Sequence, residues 1–194
     1  MLRIKKVVNI VSFYKLHAFM KGTNKGYGPK KSLVFREEDI RKCFVQASDH
    51  TFLFLKVVVI YAIFGSCRRH EMCDLRMSDI KREGSVFIIN IRPSKIEKGR
   101  KFAVVDFDIF YAKLFDQYIS LRPDNISTDR VFLKYNNGKC IKQAVGINTF
   151  GKCPDIVVRF LDLSDAVKYT GHAFRRSSAT IMANSGMSVD ELKR

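Results

Sequence analysis

The chain has 194 residues, of which 46% are hydrophobic and 12% aromatic, enough to bury a real core and to exclude global disorder. Lys and Arg number 35 against 19 Asp and Glu, a formal charge of +16, which points to a polyanionic partner, nucleic acid before an anionic membrane surface. Five cysteines, an odd number with no CxxC spacing, speak against a disulfide framework or a structural zinc site and fit a reducing compartment.

Residues 1–35 hold eight basic residues and no acidic one. Ile4, Val7, Val8, Val11 and Tyr14 recur at helical spacing there, and Lys15 with no small-residue cleavage site speaks against a signal peptide. The Gly- and Lys-rich stretch that follows, with Lys30 and Lys31 at its end, reads as an extended basic linker over 23–31, so the chain divides into 1–22, the linker, and 32–194. Acidic residues open a predicted helix over 37–47. The apolar run 51–64 is interrupted by Lys56 and is shorter than the roughly 18 residues of a membrane span, so it is a core helix that stops at Gly65-Ser66. A short helix is expected from Cys67 to about Leu75. Residues 86–92 and 101–105 read as two strands of a hairpin whose tip carries Lys95, Lys98, Arg100 and Lys101. An amphipathic helix over 108–121 ends before Pro123, and a strand over 131–135 is closed by Asn136-Asn137-Gly138. Helices over 154–161 and 171–185 follow, the second ended by Gly186, and a helical start covers 189–194. The expected fold class is mostly α with a small antiparallel β-sheet, an α+β arrangement.

Charge is set against helix polarity at two places. A helix N-terminus disfavours a cation by about 0.3–1 kcal/mol. Yet Arg68 and Arg69 open one predicted helix, and His172, Arg175 and Arg176 open another. A bound anion removes the conflict, because free backbone N–H groups and guanidinium forks both favour phosphate. The bland alternatives are arginines splayed into solvent, a plain helical ion pair for Arg68-x-x-Glu71, and a hairpin tip that is charged for solubility.

In combination these motifs resemble a known family. The stretch GSCRRHEMCDLRMSDI (Gly65 to Ile80) resembles the first conserved box of the tyrosine recombinases, or phage integrases. A basic hairpin with Lys95 follows at the matching place, and TGHAFRRSSATIMANSG (Thr170 to Gly186) resembles the second box with its His-x-x-Arg. The wording of KVVVIYAIFGSCRRHE and YTGHAFRRSSAT is most similar to the transposon-derived Crypton branch of eukaryotes. The resemblance implies the family's catalytic-domain fold over 32–194, with 1–22 as the end of an N-terminal core-binding domain. It implies DNA cleavage and rejoining through a 3′-phosphotyrosyl bond, without a metal or other cofactor. By the match of motifs, Arg68 and Arg175 stabilise the phosphoryl transition state and Lys95 protonates the departing 5′ oxygen. His172 assists the phosphate, and Glu71 is supporting. Arg69, Lys98, Arg100, Lys101, Arg176, Lys30 and Lys31 are candidate DNA contacts.

One departure is large. In the family a third phosphate-binding His or Trp, and then the nucleophilic Tyr, follow the second box. All seven tyrosines here (Tyr14, Tyr27, Tyr61, Tyr111, Tyr118, Tyr135 and Tyr169) precede His172. The expectation is a catalytic domain interrupted before its nucleophile and inactive as such. The alternatives are a domesticated or decayed module that binds DNA without cutting it, and a basic protein bound to RNA or membrane. The expected partner is double-stranded DNA, with a homo-oligomer implied by the family's tetramer on DNA and no membrane. The expected location is the nucleus.

Overall fold

Leu53 to Ala62 has no polar face apart from one lysine, and a helix that is apolar all round belongs inside a protein. In the computed structural model, which describes residues 14–23, 32–93, 98–106 and 109–186, this run is the middle of the central helix. The chain divides into two units, Met1–Lys31 and Ser32–Arg194. The first contributes α1 (Tyr14–Thr23), which runs into the stretch read as linker. The periodic residues Ile4 to Val11, the linker with Lys30 and Lys31, and the expected helix at 189–194 lie outside the described residues.

The second unit opens with α2 (Glu37–Gln46) and the central α3 (Asp49–Phe64). A short α4 (Arg69–Asp74) follows, then β1 (Ile80–Glu83), β2 (Val86–Ile91) and β3 (Arg100–Val104). After α5 (Tyr111–Ser120) come β4 (Leu133–Asn136) and β5 (Lys139–Ala144), then α6 (Ile147–Phe160) and α7 (Ala173–Asn184). The α+β class is as expected, with helices around two small antiparallel sheets ordered β1-β2-β3 and β4-β5. No helix among the described residues is long and apolar enough to cross a membrane.

Three elements differ from the sequence reading, each for a local reason. The expected hairpin is a three-stranded sheet, because β1 pairs with β2 from Ile80 opposite Ile89 to Glu83 opposite Val86. Three of the four β1 residues are charged and exposed, so the strand carries no apolar alternation. Likewise β5 completes a hairpin with β4 through Asn137-Gly138, both at positive φ, the two-residue turn that matches strand twist. Third, α6 starts at Ile147, not at Pro154, which sits inside it. An interior proline costs about 3 kcal/mol. Phe150, Cys153, Val157 and Val158 are buried on the same helix, and their burial at roughly 1.5–3 kcal/mol for each large side chain outweighs it.

Two buried polar groups mark the core. Lys56 is 3% exposed, and its ammonium donates to the Phe44 carbonyl at 2.8 Å and to Asp49 Oδ1 at 2.6 Å. It is the residue that interrupts the apolar run, neutralised from the first turn of its own helix. Tyr61 is fully buried with edge-on contacts to Phe102, Phe115 and Phe132 at 5.3–5.5 Å. Its hydroxyl has no hydrogen-bond partner among the described residues, and burial pushes the phenol well above its ordinary pKa. An unsatisfied buried donor costs about 1–3 kcal/mol. Tyr61→Phe is therefore expected to raise stability by about 1 kcal/mol in denaturant unfolding; a loss would show that the hydroxyl is satisfied.

Candidate active site

The turn between α3 and α4 is where the charged side chains meet. Arg68 is the N-cap of α4, a poor capping residue by itself. The cap works because Glu71, at the third helical position, reaches back and accepts the Arg68 backbone N–H at 2.6 Å, half of a capping box. The same local logic recurs at Arg36 with Asp39 and at Arg76 with Asp79. Glu71 thus has a structural task before any chemical one, as the ion-pair alternative anticipated; the Arg68 guanidinium lies 3.7 Å from its Oε1.

From the other end of the chain, α7 brings Arg175 to the same turn, where its Nη1 donates to the Ser66 carbonyl at 3.2 Å. Ser66 is held in the left-handed region, with φ of 45°, a conformation that costs a non-glycine residue about 1–2 kcal/mol. The hydroxyls of Ser66 and Ser178 lie 2.7 Å apart, and Ser178 also donates to the Ile63 carbonyl at 2.5 Å, fixing α7 to the end of α3. Ser177 Oγ accepts the Phe35 N–H at 2.7 Å. These serines carry no signal in the sequence that separates them from the other polar residues of the helix.

Arg100 is not on an exposed tip. It is the first residue of β3, where Arg100, Phe102 and Val104 alternate inward while Lys101 stays exposed. Phe102 packs so closely on Gly65 that a Cβ there would come within 2.4 Å of its ring, which requires glycine. That close approach delivers Arg100 to the turn. Its Nη1 and Nη2 reach Glu71 Oε1 and Oε2 at 2.7 and 2.8 Å, and Nε and Nη2 donate to the Gly65 carbonyl at 3.2 and 2.9 Å.

The resulting cluster is Arg68, Arg100 and Arg175 around Glu71, three positive charges against one. Burial pushes the Glu71 carboxyl up, but hydrogen bonds from Arg100 and the Arg68 N–H, with the charges of both arginines, hold it below the usual carboxylate range. The Arg175 guanidinium is pushed down, first by burial and then by the like charge of Arg68, with Glu71 opposing. A half-buried cation facing like charge gains from an arriving anion. Cys67, between Ser66 and Arg68, is no nucleophile here: burial pushes its thiol up to about 12.

The remaining candidates fall into three groups. His172 is exposed at the N-cap of α7, one turn before Arg175. Arg69 lies across Gly151 of α6 and Gly171, where an added Cβ would come within 2.9 and 3.4 Å of it, and the residue stays exposed. Lys98 is exposed and lines a cleft of about 140 Å³ with His70, Glu71 and Arg92. Arg176 donates to the Ser32 carbonyl, tying the start of this unit to α7. Lys95 lies outside the described residues. Among the described residues no group of three or more His, Cys, Asp or Glu could hold a metal.

A sequence model of the Phage integrase family matches residues 35–194. No curated protein matches the chain. Among solved structures, XerA recombinase superposes with a TM-score of 0.66 at 19% identity, over 87% of this chain and 55% of that one. XerH site-specific recombinase, bound to difH substrate in a pre-cleavage complex, gives 0.63 at 18% identity over 87% and 48%. The catalytic core of lambda integrase gives 0.55 at 15% identity over 80% and 85%. The chain thus spans about half the length of the first two, and the likeness is one of fold.

Proposed function

Because this chain belongs to the phage integrase family over residues 35–194, we propose that Arg68 and Arg175 of its arginine cluster grip one backbone phosphate of double-stranded DNA and prepare it for attack by a tyrosine hydroxyl. The observation that carries this reading is the convergence of Arg68, Arg100 and Arg175 on the Gly65–Ser66 turn, with the single carboxylate of Glu71 among them. The structural neighbours XerH, described bound to difH substrate, and Tn1549 transposon integrase, described in complex with circular intermediate DNA, support the same partner.

The chemistry follows from charge. As a hydroxyl attacks phosphorus, negative charge spreads over the equatorial oxygens, and guanidinium forks stabilise it. Arg68 and Arg175 have this role. His172, at the start of the helix that carries Arg175, donates a hydrogen bond to the phosphate or takes the proton of the nucleophile. Lys95 protonates the departing 5′ oxygen. Arg69, Lys98, Lys101, Lys30 and Lys31 hold flanking phosphates. The guanidiniums supply the positive charge, so the reading needs no metal or cofactor.

Three tyrosines of this unit are engaged elsewhere: Tyr61 is buried, Tyr118 donates to the Leu133 carbonyl, and Tyr169 packs at a tilt on Phe35. Their engagement elsewhere fits a second reading as well, a domesticated or decayed DNA-binding module that does not cut. The Crypton-like wording of the two boxes supports a transposable-element origin and, with it, a nuclear location; assembly on DNA as a homo-tetramer follows the family pattern. Residues 1–22 are taken as the end of a core-binding domain joined by a basic linker.

Both readings require phosphate contacts. With about eight of them, affinity for duplex DNA should fall by about 10³-fold or more between 50 and 200 mM salt, measured by fluorescence anisotropy. Affinity that does not change with salt would remove DNA as the partner.

A further inference from the structure

Arg100 has none of the marks of a DNA contact, although it comes from the most basic hairpin of the chain. A guanidinium has five N–H donors. Arg100 directs one at each carboxylate oxygen of Glu71, two at the Gly65 carbonyl, and its Nη2 also lies 3.4 Å from the Ser66 carbonyl. It lies on the inward face of β3, with Phe102 packed against Gly65 two residues on. Its partners are the very groups that set the other two arginines. Glu71 caps Arg68, and the Ser66 carbonyl receives Arg175. The fork is bidentate, a geometry that a lysine ammonium does not reproduce.

We propose that Arg100 is a positioning residue. It clamps Glu71 and the Gly65–Ser66 turn so that Arg68 and Arg175 converge on one phosphate, and it does not touch DNA itself. The proposal rests on the phosphate-binding reading of the cluster for its purpose, though not for its geometry. Each clamped group has a second attachment, to Arg68 or to Arg175, so moving Arg100 moves both. Electrostatics agrees in direction: burial raises the Glu71 carboxyl, and the first influence opposing it is the hydrogen bonding of Arg100.

Two measurements on the purified chain test it. The first is the Glu71 carboxyl titration by NMR without DNA. The wild type should titrate below the ordinary value of 4.5, and Arg100→Ala should move the midpoint up. Arg100→Lys should not restore it, because charge without the fork leaves one oxygen unclamped. Arg100→Gln serves if the alanine variant does not fold, and the wild-type midpoint is informative by itself. A wild-type midpoint at or above 4.5, or one unmoved by the substitutions, overturns the clamp.

The second is the salt slope of duplex binding. Removing a phosphate-contacting cation lowers that slope by about 1. Lys98→Ala should show the drop and Arg100→Ala should not. An equal drop for Arg100→Ala makes it a DNA contact and overturns the proposal. If the wild type shows no salt slope, the DNA reading fails while the Glu71 titration still decides the clamp.

Discussion

Arg175→Ala is expected to lower strand cleavage by about 10³-fold in a form of the protein that carries an attacking tyrosine, while duplex affinity stays within about tenfold of wild type. The asymmetry comes from where the charge matters. Arg175 is one cation among the 35 Lys and Arg of a +16 chain, so ground-state attraction to DNA survives its loss. In the proposed transition state it is one of a few donors aimed at the phosphoryl oxygens, and a missing donor of this kind costs about 10²–10³ or more. Arg175 is half-buried and anchored by the Ser66 carbonyl, so its guanidinium is held in place before DNA arrives. Arg175→Lys keeps the charge but loses the fork, and it should recover little of the lost rate. The readout is the covalent protein–DNA band on a nicked duplex, beside a binding isotherm. Parallel loss of binding and cleavage would make Arg175 a docking residue only.

The largest effect on stability is expected at the buried lysine. Asp49→Ala should destabilise the chain by about 3 kcal/mol in urea unfolding, because it leaves the Lys56 ammonium with the Phe44 carbonyl in an apolar core. Lys56→Met should cost only about 1 kcal/mol, since a flexible apolar side chain of similar length fills the space and Asp49, whose side chain is 40% exposed, returns to water. The order of the two is the test. If removing the lysine costs more than removing its partner, the ion pair is not what holds that end of α3.

The sequence made part of this legible and hid the rest for physical reasons. The pairing of Arg68 with Glu71 was readable because one turn of helix sets it, and one turn likewise separates His172 from Arg175. The helix α3 was readable because an all-apolar run with one charge has a single destination. Arg100 was misplaced because hairpin charge counts do not say which face of a strand a residue takes. Its alternation with Phe102 and Val104 was the missed signal. Strand β1 was hidden by its charges, and the start of α6 by Pro154, a preferred first helical residue that here sits past mid-helix. The serine contacts that join α7 to the α3–α4 turn span more than a hundred residues, and no local pattern encodes them.

On the proposed function, one DNA phosphate sits between Arg68 and Arg175. The most direct test is a structure of the chain bound to a short duplex. The expected result is a single backbone phosphate with oxygens within about 3 Å of both guanidiniums, and Arg100 still clamped to Glu71. Duplex bound on another face, with no phosphate at the Gly65–Ser66 turn, would contradict it.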